Sequence, residues 1–116
     1  FHTEFQEEGW PSKGYEVQVN STHTDTIRTG SLYGVKNITD QLSKDDEWFT
    51  QHIIVKGKNI TVKVNDKVAM EYTEPDNVER TGDQAGRKLS SGTFCLQGHD
   101  PKSKVSYKGI MVKPLP

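Results

Sequence analysis

Between residues 48 and 72 three runs of alternating side chains are separated by two-residue turns, a pattern that admits little besides an antiparallel meander. The run WFTQHIIVK (48–56) turns at Gly57-Lys58 into NITVKV (59–64), which turns at Asn65-Asp66 into KVAMEY (67–72). Gly, Asn and Asp tolerate the positive φ that short hairpins demand. Ile60, Val62 and Val64 alternate with Thr61 and Lys63, and Val68, Met70 and Tyr72 alternate with Ala69 and Glu71. Strand side chains alternate faces, so this is a sheet with one buried side, a scaffold.

The rest of the chain reads the same way. Residues 1–6, 15–20, 29–35, 92–99 and 105–112 are further strand candidates. The last needs a bulge near Lys108-Gly109 to turn Val105, Tyr107, Ile110 and Val112 to one side. Residues 36–47 form a loop with room for one helical turn, and the long polar stretch 73–91, with Arg80 and Arg87, is a loop of functional or mobile type. Gly30 and Gly34 within a strand pattern mark a close approach of backbone or ligand. With 116 residues of which 31% are hydrophobic, the chain supports one thin core in a single domain, 1–116. A two-layer all-β architecture meets that need, because each strand buries only alternate residues. The expectation is about eight short antiparallel strands around Val17, Val19, Leu32, Ile54, Val62, Met70, Phe94, Leu96 and Ile110.

Several function classes drop out. Fifteen Lys and Arg against sixteen Asp and Glu give a net charge of −1, so nothing draws the chain to nucleic acid or an anionic membrane. No apolar run reaches the length of a transmembrane segment. Cys95 is the one cysteine, which excludes an intrachain disulfide and reads as a packed small side chain in its strand. There is no phosphate loop, zinc-protease helix or nucleophile elbow.

Two strands carry a different chemistry. In 15–20, Tyr15, Val17 and Val19 face one way while Glu16, Gln18 and Asn20 face the other. In 94–99, Phe94 and Leu96 oppose Cys95, Gln97 and His99. If the strands are neighbours, Glu16, Gln18, Asn20, Gln97 and His99 make one patch of acid, amides and imidazole. The alternative is an ordinary solvated face. Trp10, in a loop, either caps the core or offers a flat face to a sugar ring.

Five ordered phrases bring a resemblance. They are Gly14-Tyr15-Glu16-Val17-Gln18, Thr29-Gly30-Ser31-Leu32-Tyr33-Gly34, Trp48 with Ile54-Val55-Lys56-Gly57, Leu96-Gln97-Gly98-His99-Asp100, and Gly109-Ile110 with Val112-Lys113-Pro114-Leu115. Over nearly its whole length the chain resembles the 3-keto-disaccharide hydrolase domain. That resemblance implies a concanavalin A-like jelly-roll sandwich. The family domain begins several strands earlier, so it also implies that N-terminal strands lie outside this chain and that an open sheet edge is covered, by a homo-oligomer or a further segment. Family members are mostly bacterial and exported, which implies a periplasmic or secreted setting, and they cleave glycosides oxidised to a ketone at C3. The family's arginine in its first strand has no counterpart in Phe1-His2-Thr3.

By this likeness the groove residues are Glu16, Gln18, Tyr33, Gln97 and His99. The chemistry needs a base near neutral pKa and an electrophile for the enolate. His99 is the natural base. Glu16 is the alternative base, or it orients His99 or shares a divalent metal ion with it, while Gln18, Asn20 and Gln97 hold sugar hydroxyls. Bland roles compete: a strand-end His99 bonded to the following turn, or Glu16 in a cross-strand ion pair with a lysine. A non-catalytic, lectin-like module with Trp10 and Tyr33 stacking on sugar is the other functional reading.

Overall fold

The structure, a computed structural model, describes all 116 residues. It is all-β, with a three-stranded antiparallel sheet, β1 (Gln51–Lys56), β2 (Asn59–Val64) and β3 (Lys67–Thr73), in the order β1-β2-β3. The only helix is a single 3-10 turn, Gly82–Gln84. Asn65 and Asp66 both take positive φ in the second hairpin and Gly57 does so in the first, as two-residue turns require.

Register decides which side chains become core. Val55 lies opposite Ile60 and Ile53 opposite Val62, and directly opposed residues share a face. Val55 therefore packs against the core formed by Ile60, Val62, Met70, Tyr15 and Leu32. Ile54, expected in the core, pairs with Thr61 on the other face and is half-buried. A register shift at Val62/Lys63 sets Met70 against Val62 but Val68 against Lys63. Ala69 is the extra residue of that bulge, and Val68 is thrown outward, 54% exposed.

Residues 15–20 lie along 29–33. The Gln18 amide donates to Ser31 O, Gly30 to Gln18 O, and Tyr33 to Glu16 O, at 2.9–3.1 Å. This pairing buries Leu32 and Tyr15 completely or nearly so and leaves Val17 and Val19 half-buried. Gly30 (φ +92) sits against the sheet, where an added Cβ would stand 2.8 Å from the Ala69 Cβ. That is the close approach its glycine foretold.

The two polar-faced segments are not direct neighbours. Residues 1–3 lie between them: Phe1 exchanges backbone hydrogen bonds with Tyr15, and Thr3 with Thr93. Gly14 (φ +87) permits the approach, since a Cβ there would fall 2.1 Å from Phe1 O. Residues 36–47 form no helical turn. They are pinned instead by the buried Ser43 hydroxyl, bonded to Ser21 at 2.6 Å and Thr29 at 2.8 Å.

The C-terminal third departs most from expectation. Phe94 (57%), Leu96 (58%) and Ile110 (61%) are exposed rather than core, and Cys95 is exposed rather than packed. Beyond Thr93 the only backbone hydrogen bond is from Ser103 to Asp100, closing a turn. Gly109 does take positive φ, but no strand is paired there. With no neighbouring strand, alternation has no core to point into. An apolar row with unpaired backbone invites association. The isolated 116-residue chain is therefore expected to self-associate in light scattering at micromolar concentration. A monodisperse monomer that binds no hydrophobic dye would contradict this. No helix is long and apolar enough to cross a membrane.

Candidate functional site

Glu16 follows the buried Tyr15, so strand alternation turns its carboxylate away from the core. Its carbonyl accepts from the Tyr33 amide at 2.9 Å, which fixes the backbone beneath it. The side chain is 25% exposed and lies 3.6 Å from the Arg87 Nη2. Burial pushes the Glu16 carboxyl above its ordinary pKa, opposed by the positive charge of Arg87 and then of His99. The ion pair expected with a lysine is made with an arginine instead.

Arg87 comes from the 73–91 loop, and the core holds that loop in place. Tyr15 donates its hydroxyl to Glu74 Oε2 at 2.6 Å, and the Leu89 amide donates to the same oxygen at 2.7 Å. Arg80 packs over the rings of Tyr15 and Tyr72, 5.6 and 6.0 Å from their centroids, and donates to both hydroxyls. It also donates to the Arg87 carbonyl. Arg87 was not among the residues that alternation selects, because it lies in a loop without periodicity. Its one signal is an arginine in a loop too long to be a mere connection.

Trp10 does not cap the core. It is 59% exposed, and its ring stacks on His99 with centroids 4.8 Å apart and planes at 20°. Gln6 braces the loop that presents it, donating to Trp10 O at 3.0 Å and accepting from the Ser12 amide at 2.7 Å. The turn after His99 is closed by Asp100, which accepts from the Lys102 amide and the Ser103 hydroxyl at 3.0 Å each. His99 is not the group that caps it.

Asn20 is a structural bracket, not a free sugar ligand. It is 8% exposed; its Nδ2 donates to Asp25 O and Ile27 O, and its Oδ1 accepts from the His23 amide and Arg28 Nη1. Every polar group of its amide is engaged in holding the 20–28 loop. That loop presents Asp25, which accepts from the Tyr33 hydroxyl at 3.4 Å. Burial, and then the Asp25 charge, push the Tyr33 hydroxyl above its ordinary pKa. His23 Nε2 lies 3.3 Å from Asp100 Oδ2, tying the same loop to the 100–103 turn.

Glu16, Gln18, Tyr33, Arg87, Gln97 and His99 all line one open hollow, with Trp10 at its wall. Its volume of about 3180 Å³ far exceeds a small-molecule pocket of roughly 300–1,000 Å³, so the polar corner around Glu16, not the whole hollow, is the candidate site. No three His, Cys, Asp or Glu side chains converge as a metal-ligand group. Contacts join the corner's residues in two pairs, the Glu16 carboxylate with the Arg87 guanidinium and the His99 imidazole with the Trp10 ring, while the Gln18 and Gln97 amides line the same hollow.

The family model of the 3-keto-alpha-glucoside-1,2-lyase-like domain matches residues 1–113. The chain belongs to this family. No curated protein and no solved structure matches it. The lyase-like family is carbohydrate-related, which fits a sugar as partner. Within its matched span lie both polar-faced segments, the Trp10 loop and Arg87.

Proposed function

We propose that this lyase-like domain cleaves glycosides that carry a ketone at C3, by proton abstraction next to that ketone. The observation that carries the reading is Glu16: a half-buried carboxylate, raised in pKa by burial, that faces the Arg87 guanidinium in the hollow where the His99 imidazole stacks on the exposed Trp10 ring. A C3 ketone acidifies the hydrogen on C2. Glu16 and His99 form the proton-transfer pair that removes it, and the electrons pass into the C3 oxygen as an enolate. Collapse of the enolate restores the C3 ketone and breaks the C1–O bond. The leaving oxygen takes up the proton held by the pair and departs as an alcohol, and a C1–C2 double bond remains. Addition of water across that bond gives net hydrolysis. Gln18 and Gln97 hold sugar hydroxyls, Tyr33 borders the site, and Trp10 packs on the C–H face of a ring.

The setting follows the family likeness: a bacterial periplasmic or secreted protein, built on a jelly-roll sandwich of which these strands are part. The second reading is a lectin-like module that binds sugar without turning it over, favoured by the exposed Trp10 face. Both predict binding. Only the first predicts that a 3-keto-disaccharide is split, and that His99→Ala lowers the rate about 10² to 10⁴-fold with the fold intact by circular dichroism. Saturable binding with no cleavage by the unsubstituted protein would select the lectin-like reading.

A further inference from the structure

We propose that Arg87 is the positioning residue of this corner, holding the Glu16 carboxylate in one orientation, and that Arg80 in turn aims Arg87. The inference rests on the reading of Glu16 as a proton-transfer group. Arg87 is a buried cation, its side chain 8% exposed, and the one carboxylate it meets is Glu16. A buried charge is tolerated when it is paired and hydrogen-bonded. Its Nη1 donates to Gly14 O at 3.2 Å, Nη2 lies 3.6 Å from Glu16 Oε2, and Nε is buried without a partner. Tying down the loop would need the carbonyl contact alone. The approach of Nη2 to Glu16 is additional.

The backbone of Arg87 is fixed as firmly as its side chain. Its amide donates to Gln84 O at 3.0 Å, and its carbonyl accepts from Arg80, which Tyr15 and Tyr72 clamp. Gly86 precedes it because the chain passes hard against Ser12, whose carbonyl oxygen would lie 1.9 Å from an added Cβ. The charged groups facing Glu16 are Arg87, His99, the Phe1 amino group and Asp25. Among these, Arg87 is the one whose side chain forms an ion pair with the Glu16 carboxylate.

The test joins carbon-13 NMR titration of the Glu16 carboxyl with pH profiles of kcat and KM on a 3-keto-glycoside. In Arg87→Met the carboxyl is expected to titrate at higher pH than in the parent, and kcat to fall about 10 to 10²-fold with KM little changed. Arg87→Lys keeps the charge but loses the planar fork. Its titration should stay near the parent's while kcat falls about tenfold. Arg80→Met should shift both quantities in the Arg87→Met direction, by less. A Glu16 titration and a rate that overlay the parent in Arg87→Met overturn the proposal. If that variant does not fold, a parental rate in Arg87→Lys does so. Should the parent show no turnover, the reading of the reaction fails by itself, and the NMR titration still decides the role of Arg87.

Discussion

Replacing Glu16 with glutamine is expected to lower kcat on a 3-keto-glycoside about 10² to 10⁴-fold while the protein stays folded. Glutamine keeps the shape and the hydrogen-bonding ability of the side chain but cannot accept a proton or carry the charge that faces Arg87. The strand below is held by backbone bonds and by Tyr15 and Val17 on the opposite face, none of which the substitution touches. The variant loses a carboxylate that burial disfavours, but Arg87, a buried cation, loses its one carboxylate partner and keeps only its bond to Gly14, so some stability is lost. The rate is therefore read on protein shown to be folded by circular dichroism. A pH signature accompanies the rate. Burial raises the Glu16 pKa, so the folded protein binds this proton more tightly than the unfolded chain. The stability it adds is greatest at low pH and is lost as pH rises through the folded pKa. On the proposed reading, in which the ionised Glu16 takes the proton, activity runs the opposite way: kcat/KM should fall as pH drops through a value above the ordinary carboxylate range. That acid limb should vanish in Glu16→Gln. A variant with parental rate, or with the limb unchanged, removes Glu16 from the mechanism.

Leu32→Ala is expected to cost about 2–5 kcal/mol of stability, the range for emptying a fully buried leucine site. Leu32 is 0% exposed and packs with Tyr15, Ile60, Val62 and Met70. It is also where the 15–20 segment and the 32–36 turn meet, bridged to Val17 and Lys36. The cavity would open between sheet and overlying chain, where neither partner can relax without breaking its backbone pairing. At about 4 °C per kcal/mol for a chain of this size, the melting temperature should fall roughly 8–20 °C. Phe94→Ala is the matched control, because Phe94 is 57% exposed and its loss should change stability by less than about 0.5 kcal/mol. Denaturant unfolding of both variants checks the pair. A large effect at Phe94 with a small one at Leu32 would mean the core lies elsewhere.

The contrast between those two positions shows what the sequence could reveal. Leu32, Val62 and Met70 were legible because alternation is a local property and each has a paired strand beside it. Phe94, Leu96 and Ile110 show the same alternation, but parity says only that two sides differ, not that a partner covers one of them. Val68 and Ile54 failed for a smaller reason: a one-residue bulge and the phase of β1 each shift which side is inward. In the candidate site, parity and family likeness pick out Glu16 and His99 as a carboxylate and an imidazole on the polar sides of their segments. Asn20 misled because an amide on the polar side looks the same whether it awaits a ligand or brackets a turn. Arg87 was hidden, since its place depends on Tyr15, Glu74 and Arg80 clamping a loop, contacts more than sixty residues apart in some cases.

The most direct measurement is proton exchange at C2 of a 3-keto-glycoside, followed by proton NMR in deuterated water. The proposed proton abstraction by Glu16 and His99 predicts that the C2–H signal is lost in the presence of the protein, together with release of the C1 substituent. It also predicts that Glu16→Gln slows this loss by about 10² or more. A C2–H signal that persists while the sugar is demonstrably bound would contradict proton abstraction at this corner.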